Sequence, residues 1–318
     1  MLITRTPLRI GLFGGGTDFP GYFKKEDGCV INTAINKYIY VVIKPRIDNK
    51  TRVSCTHIQT VNHIENIKHD LIREAIKKTN MPGGVEIITI GDVPAGTGLG
   101  SSSSVTVGLL KAMHEYTRNP VDNETLAQEA CDIEINILKH PIGVQDQYAA
   151  AFGGFRFIEF KKNGDVVLNK PSFYRDFNDR LMLFYTGIVR KAEDVLTEQT
   201  KKIFNNMELL TQVKEIAVQA NNSLLLGDYD TVGYLLHETW KIKKQLASGI
   251  TTKKIDSLYK MALDAGAYGG KISGAGGGGF LVVYAPLDKK DSVRKALKEL
   301  REVPFRFELE GSKVIFNA

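Results

Sequence analysis

The sequence predicts an α+β protein in two units, on three observations. Strand-like runs rich in Val, Ile and Tyr crowd the first part of the chain, at 2–13, 29–43 and 52–56. Residues 190–265 are almost wholly helical in pattern, with breaks near Gly227 and Ser248-Gly249. Strands and helices that cluster, and do not alternate regularly, favour α+β over a doubly wound sheet.

In chain order, residues 2–13 form a strand that Gly14-Gly15-Gly16 ends in a tight loop, continued by Thr17-Asp18-Phe19-Pro20-Gly21. Residues 70–78 read as a short charged helix, closed by Pro82 and Gly83-Gly84. A strand at 85–90 enters a glycine loop, and a helix leaves it, running to about Tyr116. Asp122 can cap the next helix, which reaches about Lys139 and is stopped by Pro141. A short helix at 143–151 precedes an alternating strand at 155–160 and a hairpin turn at Asn163-Gly164-Asp165. The composition then shifts, which puts a domain boundary between Phe160 and Asp179 and divides the chain into 1–170 and 171–318. In the second part, 181–185 is a strand, 271–284 returns to glycine and strand, and 288–302 is an amphipathic helix. Residues 305–309 and 313–316 close the chain as strands.

The totals narrow the function classes. At 318 residues, 43% hydrophobic and 25% charged, the chain has ample core. A net charge of +6 suits phosphorylated ligands, but the lysines are scattered and no nucleic-acid motif is present. No stretch approaches the ~18 apolar residues of a membrane span. Cys29, Cys55 and Cys131 are odd in number and far apart, so they read as free thiols of a reducing compartment. The first residues lack the apolar core of a signal peptide, and a cytoplasmic location is expected.

Residues 94–104 carry the densest signal. Pro94-Ala95-Gly96-Thr97-Gly98-Leu99-Gly100 is followed by Ser101-Ser102-Ser103-Ser104 and then an apolar helix. Glycines with positive φ let a backbone close on a ligand, and N–H groups at a helix start attract anions, so the pattern predicts a phosphate cradle. No Gly-Lys-Ser/Thr follows, which separates it from Walker loops. A Gly/Ser linker is the bland alternative, but linkers are not tightly flanked by a strand and an apolar helix. Gly274-Ala275-Gly276-Gly277-Gly278-Gly279 formally matches a dinucleotide fingerprint. A strand comes next where a helix should open, so it reads as a glycine turn closing over something bulky. Glu134 lies on an apolar helical stripe with Ala127, Cys131 and Leu138, where a carboxylate needs a cation or an ion pair with a core lysine. Asp146, just after a helix break, could serve as a general base, or cap a helix. Asp18 in the first glycine loop could accept sugar hydroxyls, or close a turn.

Three blocks in this order resemble those of the GHMP kinases, the group of galactokinase, homoserine kinase and mevalonate kinase. They are Pro7-Leu8-Arg9-Ile10-Gly11-Leu12-Phe13-Gly14-Gly15-Gly16-Thr17-Asp18-Phe19, residues 94–104, and Lys271-Ile272-Ser273 followed by the glycine run. The resemblance covers the whole chain and implies a two-domain α+β fold with its site in the cleft between the domains. It implies ATP and Mg2+ as cofactors. Pro94, Gly96, Thr97, Gly98, Leu99, Gly100, Ser101, Ser102 and Ser103 would bind the nucleotide. Ser102 and Glu134 would hold the metal, and Asp146 with Arg9 would be catalytic. Gly15, Gly16, Thr17, Asp18, Arg190, Gly274, Ala275 and Gly276 would contact the substrate. The first block has Gly15-Gly16 where galactokinase has Glu-His, and that form, with the segment 186–190, is similar to the branch acting on the anomeric hydroxyl of D-glycero-D-manno-heptose 7-phosphate. Fucokinase-type domains are the alternative, and a non-catalytic sugar sensor or an isoprenoid or amino-acid kinase ranks lower. Neither nucleic acid nor membrane is an expected partner, and a homodimer is left open.

Overall fold

The computed structural model describes residues 1–169, 175–188 and 192–318. The first half runs β1 (Leu2–Phe13), α1 (Pro20–Phe23), β2 (Gly28–Pro45), β3 (Thr51–Ser54), β4 (Ile58–Val61), α2 (Asp70–Lys78), β5 (Val85–Gly91), α3 (Ser101–Tyr116), α4 (Asn123–Cys131), α5 (Gln145–Phe152), β6 (Phe155–Phe160) and β7 (Val166–Asn169). The second runs α6 (Arg175–Arg180), β8 (Leu181–Tyr185), α7 (Ala192–Lys201), α8 (Met207–Leu225), α9 (Tyr229–Lys243), α10 (Lys253–Asp264), β9 (Gly269–Ile272), β10 (Phe280–Tyr284), α11 (Lys290–Ala296), β11 (Arg301–Glu302) and β12 (Lys313–Asn317). Among the described residues, no helix is long and apolar enough to cross a membrane.

β2 organises the first sheet because it is long enough to serve two partners on one edge. Its first half pairs with β6, Gly28 opposite Phe160, and its second with β5, Ile43 opposite Ile87. β1 runs antiparallel along its other edge, and β12 closes the outside of β1 with Thr4 opposite Val314. The last strand of the chain therefore lies in the first sheet. β12 covers only Leu2–Arg5, so the outer edge of β1 is open further on, and the Arg9 N–H donates to the carbonyl of Leu99 at 3.0 Å. The sheet edge itself thus fixes the glycine loop. The second sheet is antiparallel, in the order β11-β8-β10-β9.

Helices α3 and α5 pack on β1 and β2, and α8 from the second half packs on the same strands. The two halves therefore share apolar core. Phe177 sits at that seam, 1% exposed, with its ring 6.0 Å from Phe155 of β6, 5.9 Å from Tyr284 of β10 and 5.7 Å from Tyr229 of α9. Phe177→Ala leaves a cavity among rings that cannot close on it. A loss of about 3–5 kcal/mol of stability is expected, read by urea unfolding.

Several elements depart from the sequence reading. The helix expected to reach Lys139 is regular only to Cys131 and continues as a π-helical turn, Asp132–Ile137. β6 does not alternate, because Arg156 is buried too, its guanidinium donating to the carbonyls of Gly153 (2.6 Å) and Phe152 (3.1 Å). The 288–302 helix stops at Ala296, since a turn from Leu297 to Leu300 delivers Arg301-Glu302 to the edge of β8. Residues 305–309 form no strand; Phe307 makes one bridge to Ile35, and its N–H goes to the Asn178 side chain. The helical stretch after residue 190 has a further break, at 202–206 between α7 and α8.

Candidate active site

The glycine loop folds as its composition demands. Gly96, Gly98 and Gly100 all have positive φ, and Gly100 occupies the cap position of α3 without a side chain to satisfy the helix start. The first N–H groups of α3 are therefore offered to a ligand, with the positive end of the helix dipole behind them. That is what the phosphates of ATP require. Leu99 and Thr97 are buried and anchor the loop, the Thr97 hydroxyl donating to the carbonyl of Pro94 at 2.8 Å. At Gly98 an added Cβ would lie 2.4 Å from the carbonyl oxygen of Ser273, whereas at Gly96 it would meet nothing within 4 Å. Gly98→Ala is thus expected to weaken ATP binding at least tenfold and to lower the melting temperature, while Gly96→Ala shows only backbone strain. Nucleotide titration and thermal melting of the pair check this.

The serines do not all face the cradle. The Ser104 hydroxyl donates to the carbonyl of Pro7, at 2.8 Å. Ser102 and Ser103 donate to the two oxygens of Glu134, at 2.7 and 2.8 Å, and Gln147 adds a bond to the second oxygen at 2.6 Å. The Ser103 hydroxyl is buried in this way, so what it can offer a nucleotide is its backbone. Glu134 is fully buried and makes no ion pair among the described residues, so the expected alternative of a core lysine partner does not occur. Burial raises its pKa, and the bonds from Ser102, Ser103 and Gln147 oppose the rise. Glu134 lies within the π-helical turn, a departure from the α-helix that is frequent at functional sites. The donor set fits Mg2+, a cation of oxygen ligands that takes one or two carboxylates and completes its shell from phosphates and water. The Gln147 side-chain oxygen, buried beside it, has no hydrogen-bond partner.

Arg9 and Asp146 form the centre of the site. The guanidinium donates through Nε to Oδ1 (2.7 Å) and through Nη2 to Oδ2 (2.5 Å) of Asp146, and through Nη1 to the carbonyl of Gly98 (2.7 Å). Asp146 is thus a paired carboxylate in the first turn of α5 and not a helix cap. Asp18 holds the start of α5, its Oδ2 accepting the N–H of Gln145 at 3.3 Å, and it closes its own loop by accepting the N–H of Gly16 at 2.9 Å. It is almost wholly buried, which raises its pKa; the Gly16 bond offsets part of the rise and nearby Asp146 adds to it.

An open cleft joins these groups. Arg9, Gly15, Gly16, Asp18, Asp146, Gly274 and Ala275 all line it, and Leu196 and Gln199 of α7 line it too. Two expected substrate contacts lie elsewhere. Thr17 is fully buried, its hydroxyl donating to the carbonyls of Gly14 and Cys29, because it staples the loop to β2. Gly276 is turned to Ile250, whose carbonyl an added Cβ would meet at 2.8 Å. Arg190 lies outside the described residues. The bulky object under the second glycine run is the cradle itself: a Cβ at Gly274 would lie 2.7 Å from the Gly98 Cα, and one at Gly279 2.2 Å from the Thr97 carbonyl oxygen.

Among the lining residues to which the sequence reading gave no role are two lysines, Lys243 and Lys271. Lys271 donates to the carbonyl of Leu12 at 3.0 Å, and Lys243 to those of Ile272 (3.2 Å) and Gly274 (2.5 Å). A signal existed for Lys243, which extends the buried stripe of Val232, Leu236 and Trp240 on α9. A lysine in register with an apolar stripe is a buried cation.

A glycine cradle at a helix start, bonded through Gly98 to a paired Arg and Asp that line a cleft, is the arrangement of a small-molecule kinase. The model for the GHMP kinases N terminal domain matches residues 62–154, and that for the GHMP kinases C terminal region matches 216–303. The chain belongs to the GHMP kinases. It is 34% identical to a D-glycero-alpha-D-manno-heptose 7-phosphate kinase of Campylobacter jejuni, over 98% of this chain and 97% of that one. A solved D-glycero-D-manno-heptose 1-phosphate kinase from Bacteroides thetaiotaomicron superposes with a TM-score of 0.82 at 28% identity, covering both chains fully. An L-fucokinase/L-fucose-1-P guanylyltransferase of Bacteroides fragilis is 26% identical over 91% of this chain but 35% of its own length.

Proposed function

We propose that the protein transfers the γ-phosphoryl group of ATP to the anomeric hydroxyl of a sugar phosphate, D-glycero-D-manno-heptose 7-phosphate above other acceptors. The observation that carries the reading is the Arg9–Asp146 pair, which lines the cleft and is tied through Gly98 to the phosphate loop. The 34% identity over nearly the full length to the C. jejuni heptose 7-phosphate kinase supports the acceptor. Catalysis in such a site is positioning and electrostatics. Asp146 orients the sugar hydroxyl and takes its proton; Arg9 fixes both carboxylate oxygens and stabilises charge developing on the transferred group. Asp18, Gly15 and Gly16 present acceptors and backbone to the ring hydroxyls. Ser102 and Glu134 would hold Mg2+, which when bound neutralises charge on the phosphate oxygens. Arg190 is proposed for the sugar's own phosphate, and 1–170 and 171–318 as the domains, with β12 returning to the first sheet. A cytoplasmic setting suits these substrates.

A coupled assay over heptose 7-phosphate, mannose 6-phosphate, fucose and mevalonate tests the reading. Heptose 7-phosphate is expected to lead in kcat/KM by at least tenfold; preference for fucose would favour the fucokinase-type reading. Glu134→Gln keeps the shape of the side chain and removes its charge. The Mg2+ concentration for half-maximal rate is then expected to rise at least tenfold, read by metal titration at fixed ATP.

A further inference from the structure

Two buried ammonium groups in the cleft have no role in the mechanism above. Lys243 is 8% exposed and Lys271 4%, and both line the cavity that holds Arg9, Asp18 and Asp146. Neither makes an ion pair among the described residues; their partners are backbone carbonyls of Leu12, Ile272 and Gly274. A carbonyl satisfies a hydrogen-bond donor but does not neutralise a charge, and a buried charge without a counterion is costly. Each ammonium carries three donors. Lys271 spends one on Leu12 and Lys243 two on Ile272 and Gly274, so each keeps at least one for a ligand.

The surroundings deepen the deficit. Arg9 adds a third cation, but its guanidinium is committed to Asp146 and Gly98. Burial holds Lys243 well below the usual lysine range, and the charges of Lys271 and Arg9 lower it further. Burial pulls Lys271 down to about 7, Arg9 adds to this, and Asp18 alone opposes it. An arriving anion would oppose these effects and favour the charged form of both.

We infer that Lys243 and Lys271 together form an anion site in the wall of the cleft, which takes a phosphate group brought there by the substrates. This rests on the reading of the protein as a kinase of sugar phosphates. Two sources of that group reach the cleft, the phosphate already on the acceptor and the γ-phosphoryl in transfer. Both lysines sit on segments that touch the first and second glycine loops. Lys271 contacts β1 just before Gly14, and Lys243 holds Gly274, which abuts Gly98.

The test uses the full chain and the variants Lys243→Met, Lys271→Met and Lys243→Gln. The last keeps donors for the carbonyls and loses the charge. Inorganic phosphate is titrated by thermal shift in saturating ADP, which fills the cradle. Wild type is expected to bind phosphate at least tenfold more tightly than each variant. Without phosphate Lys243→Gln should melt no lower than wild type, because it keeps donors for the carbonyls and removes a costly buried amine; this separates lost binding from lost folding. Kinetics with the sugar phosphate and with the same sugar lacking its phosphate then identify the source. A rise of at least tenfold in KM confined to the phosphorylated acceptor assigns the site to the acceptor. A fall of at least tenfold in kcat with both acceptors assigns it to the γ-phosphoryl. Phosphate affinity within threefold of wild type, or kinetics within threefold on both acceptors, overturns the inference. If wild type turns over no sugar at all, the kinase reading fails, and the phosphate titration still decides the lysines.

Discussion

Asp146→Asn is expected to lower kcat by about 10^3-fold, at the middle of the range for a general base, while ATP affinity changes by less than about threefold. The substitution keeps the shape of the side chain and an oxygen for Arg9. It removes the charge that would accept the hydroxyl proton and that pairs with the guanidinium through two bonds. ATP would be held elsewhere, by the N-terminus of α3 and by Gly96 to Gly100, none of which touches the Asp146 side chain. Rate and binding should therefore separate. A coupled kinase assay and a nucleotide titration on the same preparation measure both, and near-normal turnover would remove Asp146 from the base role.

Arg9→Met is expected to cost about 10^2–10^3 in kcat, the range seen when a preorganised donor to developing charge is lost. Arg9 acts at three points: it forks onto Asp146, bonds the Gly98 carbonyl, and through its own N–H holds Leu99. Methionine keeps the last of these and some of the packing, so the loop should survive and the carboxylate lose its orientation. Arg9→Lys should rescue little, because one ammonium cannot reproduce the two-pronged geometry. The expected signature is a fall in kcat with ATP KM nearly unchanged. A loss confined to ATP KM would mean that Arg9 serves the loop and not the base.

Much of this site is legible in the sequence where local chemistry decides structure. The cradle at 96–104 comes from its glycines and the helix behind them. Asp122 caps α4 as its position predicts, accepting the N–H of Thr125 at 2.8 Å. The 29–43 run is β2, and the 163–165 turn joins β6 to β7. Resemblance of the three blocks groups Arg9, Asp146 and Glu134 on sequence alone, and the fold brings Arg9 to Asp146 and Glu134 to Ser102.

The features that are not legible depend on tertiary contact. The π-helical turn at Asp132–Ile137 has no pattern of its own; a regular 3.6-residue stripe suits Glu134 equally well. Thr17 looks like a substrate contact until β2 supplies the carbonyl of Cys29. The second glycine run reads as closing over something bulky, and only the fold shows that this is the cradle at Thr97 and Gly98. Residues 305–309 have strand composition but make one bridge, Phe307 to Ile35 of β2, with further backbone bonds to Ala34 and Asn36. The return of β12 to the first sheet is a long-range event that composition cannot announce.

The central claim is phosphoryl transfer to an anomeric oxygen, and phosphorus NMR of the reaction with ATP, Mg2+ and heptose 7-phosphate tests it most directly. The account predicts a second phosphate signal on the sugar, coupled to the anomeric proton, growing in step with ADP. A new phosphate coupled to any other sugar proton, or ADP formed with free phosphate only, would contradict it.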